Sequence, residues 1–63
     1  MSAEPPRDVY FEFIAIGASV KVVAIDAATG TEVSVVGPAG AAQSDLERLA
    51  VAKLRKRVVR GAD

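Results

Sequence analysis

Three short runs of β-branched and aromatic residues dominate the first part of the chain. They occupy residues 9–16 (Val-Tyr-Phe-Glu-Phe-Ile-Ala-Ile), 19–25 (Ser-Val-Lys-Val-Val-Ala-Ile) and 31–36 (Thr-Glu-Val-Ser-Val-Val). Gly17-Ala18 separates the first two, and Asp26-Ala27-Ala28-Thr29-Gly30 separates the second and third. Such runs between short turn signals predict an antiparallel meander of three strands. A two-residue connection with Gly in its first position suits a type II′ hairpin. In the second connection Asp26 can bond its own backbone, and Gly30 can supply the positive φ that closes the loop.

These turns set the register. Ile16 is expected opposite Ser19, Phe13 opposite Val22 and Phe11 opposite Ala24, with Lys21 opposite Ile14 and diagonal to Glu12, within reach of an ion pair. Across the second turn Asp26 is expected opposite Thr31, Ala24 opposite Val33 and Val22 opposite Val35. Side chains alternate between the two faces of a strand, and the parities agree across all three strands, as a fixed register requires. Face one then carries Val9, Phe11, Phe13, Ala15, Val20, Val22, Ala24, Val33 and Val35. Face two carries Tyr10, Glu12, Ile14, Ile16, Lys21, Val23, Ile25, Glu32, Ser34 and Val36.

The pattern changes period after residue 43. Leu46, Leu49, Ala50, Leu54 and Val58, with Val51 at the margin, recur at helical spacing and form one apolar stripe. Ser44 followed by Glu47 has the form of a capping box. Asp45 near the start and bases near the end both complement the helix dipole. A helix is predicted over residues 45–60, with Gly61 just past its end. Pro38 should end the third strand, and residues 37–43 should form a glycine-containing connector.

The expected fold is therefore α+β: a three-stranded meander followed by one C-terminal helix packed on face one, in the order β-β-β-α. A single domain is expected over residues 9–60, between a disordered N-terminal tail at 1–8, where Pro5-Pro6 prevents regular structure, and a C-terminal tail at 61–63.

Size and composition add a second expectation. At 63 residues with 51% apolar residues, the chain is too short to hide all of that surface in one core. A folded chain of this size buries only about 60% of what its unfolded form exposes. With no Cys and no His, disulfides and the common zinc frameworks are unavailable, which leaves oligomerisation among the usual supports of small folds. Face two has no cover within the chain, and exposed apolar patches mark interfaces. Tyr10, Ile14, Ile16, Val23, Ile25 and Val36 are accordingly the candidate protein interface. The expected occupant is a second copy in a homodimer, including one in which helices or strands are swapped through the 37–43 connector. A different, unidentified protein is the other occupant considered.

Charge suggests a weaker alternative. Residues 1–43 hold five acids against two bases, and residues 44–63 hold six bases against three acids. Lys53, Lys56, Arg57 and Arg60 fall along one helix face and form a candidate anion-binding stripe, such as a nucleic-acid-associated accessory protein would use. Zero formal net charge, the lack of Trp and a single Tyr argue against it, because single-strand binding relies on stacking aromatics.

Catalysis has little to stand on. Without His or Cys there is no ordinary general base or activated nucleophile, the serines have no base partner, and no glycine-rich phosphate loop occurs. No enzyme activity, cofactor or metal is expected. The N-terminus lacks the pattern of a signal peptide, and no apolar run approaches the ~18 residues of a membrane span, so a cytoplasmic location without membrane association is expected.

Residues 9–60, and most distinctively Ala24-Ile25-Asp26-Ala27-Ala28-Thr29-Gly30-Thr31-Glu32-Val33, resemble a family of short bacterial proteins of unknown function with a β-β-β-α pattern. The resemblance implies a self-standing unit. It carries over no activity, ligand or site residue.

Overall fold

The computed structural model describes residues 8–61, and the side chains of residues 8–58. Most of the expected N-terminal tail and the last two residues lie outside that range. Three strands, β1 (Val9–Ile16), β2 (Ser19–Asp26) and β3 (Glu32–Pro38), precede one helix, α1 (Gln43–Gly61). The strands form one antiparallel sheet in the order β1-β2-β3, and α1 packs against it.

The register is the one the turns dictate. Ile16 pairs with Ser19, Phe13 with Val22 and Phe11 with Ala24. Val22 pairs in turn with Val35, and Ala24 with Val33. At the first turn Gly17 has φ +57° while Ala18 stays at negative φ, the II′ pattern whose twist matches the strands. At the second, the Asp26 carbonyl accepts from the N–H groups of Thr29 (3.3 Å) and Gly30 (2.7 Å), and Gly30 closes the loop at φ +75°. The buried Asp26 side chain braces this loop: Oδ2 bonds the Thr29 hydroxyl at 2.9 Å, and Oδ1 accepts from Ala28 N–H at 3.4 Å.

The core lies between face one and the helix. Val22, Ala24 and Val33 from the sheet meet Leu46, Ala50 and Leu54 from α1. Both alanines are fully buried, so the helix backbone approaches the sheet closely at its middle.

Four local expectations are corrected. First, β3 ends at Pro38 as expected but takes in Gly37 and Pro38, placed in the connector from sequence, with Pro38 aligned with Ser19. Proline fits there because β3 is an edge strand and Pro38 turns its missing N–H outward; the next residue, Ala39, resumes bonding by donating to Ala18 C=O at 2.8 Å. Second, Ser44 is not the N-cap. The Ala42 carbonyl accepts from Asp45 N–H (3.0 Å) and Leu46 N–H (3.3 Å), so the helix starts earlier and Ser44 stands inside its first turn. The helix also includes Gly61 rather than stopping before it.

Third, Leu49 does not belong to the packed stripe: it is 58% exposed. The buried line is Leu46, Ala50 and Leu54, with the half-buried Val58 and Val51 beside it. Leu46 packs directly over Gly37: a Cβ there would lie 2.6 Å from Leu46 Cδ2. Gly37 is thus a seat for Leu46 under the start of the helix, and its role is not that of a flexible joint. Fourth, helix and face one do not cover each other fully. The helix lies across β2 and β3, leaving Phe13 exposed and Phe11 half-buried on the β1 side.

Candidate functional site

The expected interface residues separate into two groups. Tyr10, Ile14, Ile16 and Val36 are exposed, with Ile16 at 53% and Val36 at 63%. Val23 is only 8% exposed and Ile25 is half-buried. Face two is therefore not bare along the central strand, which corrects the expectation for Val23. Val23 stands between Glu12 on β1 and Ser34 on β3, and on a central strand such cross-strand neighbours screen a side chain from both sides. Apolar exposure shifts to β1, which carries Tyr10, Phe13, Ile14 and Ile16. Phe13 belongs to face one, so β1 presents large apolar groups on both faces. Its ring lies 6.4 Å from that of Phe11.

Backbone bonding makes the two edges of the sheet different. Ala27 N–H donates to Asp8 C=O at 3.0 Å. By the alternation of an antiparallel ladder, the even-numbered residues of β1 then turn their backbone groups toward β2. Val9, Phe11, Phe13 and Ala15 turn theirs outward. At the other edge the outward residues are Glu32, Ser34, Val36 and Pro38. There Lys53 Nζ reaches over from α1 to the Ser34 carbonyl at 2.7 Å, the Pro38 carbonyl accepts from Ala41 N–H at 2.9 Å, and Pro38 has no N–H to offer. A lysine, a proline and a returning loop are known means of blunting an edge. Among the described residues no such contact closes the outward groups of β1.

The basic stripe is partly redirected by the same contact. Lys53 is held on Ser34, and with Arg57 it lines a shallow cleft that also contains Lys21, Ser34 and Glu32. Lys56 is exposed on the helix; the Arg60 side chain lies outside the described side chains. The expected Glu12–Lys21 ion pair is not formed: Lys21 turns to this cleft, and an ion pair found instead is Asp45–Arg48, at 3.5 Å on the helix surface.

Sequence reasoning missed three features that shape this surface: Gly37 as a packing seat, Lys53 as an edge plug, and the openness of β1 on face one. The signal for the first was a glycine two residues after Val35 on the core face. The second had no local signal, since Lys53 and Ser34 are far apart in the chain.

Fold and surface together define a small α+β domain of the β-β-β-α kind, with large apolar side chains exposed on one edge strand. The chain belongs to the family described as Domain of unknown function (DUF6898), whose model matches residues 6–61. Comparison with curated proteins and with solved structures gives no match. Among the described residues, no helix is long and apolar enough to cross a membrane.

Proposed function

We propose that this domain works by protein–protein contact without catalysis, and that its first partner is a second copy of itself. One observation carries the reading: the large apolar side chains left exposed are concentrated on β1, as Tyr10, Phe13, Ile14 and Ile16. A fold this small gains from covering them, and contiguous apolar exposure is characteristic of interaction surfaces.

Sedimentation equilibrium from low to high micromolar protein tests it. A two-chain mass that persists on dilution is expected, and Ile14→Asp should return the chain to monomer, because the new carboxylate would be buried without a partner. A wild-type protein that stays monomeric throughout would overturn the self-association reading. The alternative, anion binding by the helix bases, is supported by Lys21 joining Lys53 and Arg57 in one cleft. Against it, Lys53 is engaged by Ser34 and Glu32 shares the cleft. The double variant Lys56→Glu/Arg57→Glu separates the two readings. It should leave the two-chain mass unchanged, whereas any phosphate-dependent binding would weaken steeply with salt and with these changes.

A further inference from the structure

Resting on that reading, we infer that the two copies join through the open edge of β1, strand against strand, in a two-fold antiparallel pair centred on Phe13. The product is a continuous six-stranded sheet.

The edge that remains available selects the strand. Along β3, Lys53 and the 39–41 turn occupy outward carbonyls and Pro38 lacks a donor. Along β1, Val9, Phe11, Phe13 and Ala15 alternate outward with ordinary N–H and C=O groups, and their side chains carry no charge. The helix packs mainly over β2 and β3 and borders β1 at the Phe11 side chain, on the face of the sheet and not along the outward backbone.

Charge and parity then narrow the register, and opposing Ile16 to Tyr10 rather than to Glu12 favours a centre at Phe13 over one at Ile14. In a symmetric antiparallel pair the hydrogen-bonded positions must be the outward, odd-numbered residues. A pair centred on Glu12 would meet that condition. It would also set the two Glu12 carboxylates directly opposite each other at a non-hydrogen-bonded position, where Cα atoms stand only ~4.5 Å apart, and like charges there are destabilising. A pair centred on Phe11 would set Ile14 opposite Asp8 and leave Ile16 beyond the paired stretch. A pair centred on Phe13 sets Phe11 opposite Ala15, Ile14 opposite Glu12 and Ile16 opposite Tyr10. Every large exposed side chain of β1 then has a neighbour on the second copy, and no two like charges stand directly opposite each other; the two Glu12 carboxylates are diagonal, ~7–8 Å apart.

The natural chain lacks cysteine, so single cysteines report this geometry directly. In the Phe13-centred pair the two Phe13 positions lie ~5.5 Å apart at Cα, inside the ~4.4–6.8 Å range of disulfides. Phe13→Cys treated with a short thiol-to-thiol cross-linker, which tolerates the wider Cβ spacing of a hydrogen-bonded pair, should therefore become a covalent dimer. Ala15→Cys should not, since the two positions stand four residues apart along the paired strands, ~14 Å. Val23→Cys should not either, because three strand spacings, ~14 Å, separate the copies.

A second measurement guards against an effect of losing the Phe13 ring. The whole chain can be made by chemical synthesis with Phe13 N-methylated, which removes an outward donor and leaves the β1–β2 ladder intact. It should remain folded by circular dichroism and sediment as one chain where the unmodified protein sediments as two. Cross-linking of Val23→Cys without Phe13→Cys, or a dimer indifferent to N-methylation, would overturn edge pairing while leaving self-association standing. A wild-type monomer would overturn both.

Discussion

The two edges of this sheet are built from similar material and end differently. Both are short, rich in β-branched residues, and flank the same central strand. β3 lies under the helix, is seated by Gly37 against Leu46, and has outward carbonyls taken by Lys53 and Ala41. β1 lies at the margin of the helix, meeting the core through Val9 and Phe11, and leaves four large side chains exposed. An edge strand is a hazard wherever it is flat and apolar. Among the described residues, one edge is closed by several separate contacts and the other by none of them, and the proposed pairing rests on that difference.

The contrast can be broken most strongly by adding the same charge to each edge. Ile16→Asp on β1 is expected to weaken self-association roughly 100-fold, about 2.7 kcal/mol, when followed by sedimentation equilibrium. Val36→Asp on β3, at comparable exposure, should change it less than about threefold by the same conversion.

Next in size is a change that should affect the fold and leave the assembly alone. Gly37→Val would drive a side chain into Leu46 and should cost roughly 1–3 kcal/mol of stability in urea titration, as overpacking does. The remaining dimer should keep its dissociation constant under conditions where the chain is folded.

The smallest effect on stability is expected for Lys53→Met, which keeps the length of the side chain and removes the donor to Ser34. A loss of about 0.5–1.5 kcal/mol is anticipated, the net worth of one such hydrogen bond. Its informative consequence is on assembly: with the β3 edge unplugged, light scattering should detect species larger than two chains at high concentration. A strictly dimeric Lys53→Met would mean that Pro38 and the 39–41 turn are enough to close that edge.

The sheet was the most legible part of the chain. Strand pairing depends on parity and turn length, and both are local: Gly17-Ala18 and Asp26 to Gly30 set the register of all three strands. The helix was legible as an element and less so in its position. Ser44 and Glu47 carry a capping signal, yet the first helical bond returns to Ala42, next to the residues that bring Leu46 onto Gly37. Leu49 has the spacing of a stripe residue, but the azimuth of the packed helix turns it toward the β3 edge, four residues before Lys53 on the same side. Periodicity states that a helix has an apolar side; the width of what it packs against decides which members are used. Two strands are covered fully and β1 only at Val9 and Phe11, which leaves Phe13 exposed. Burial of Val23 could not be read from alternation, because it depends on side chains across both neighbouring strands.

The order β1-β2-β3 in the sheet repeats the order in the chain, and this has a kinetic consequence. Nearly all strand contacts join nearest neighbours through tight turns, a topology of low contact order that folds quickly. Hairpins of this kind close in ~1–10 μs, whereas synthesis proceeds at about 5–20 residues per second. β1 is made first and β2 follows directly after a two-residue turn, so β1 acquires its intended neighbour within about a second of being made. In the proposed assembly, one side of β1 is thus committed before a second copy arrives, and the outward side is the one that adds the strand.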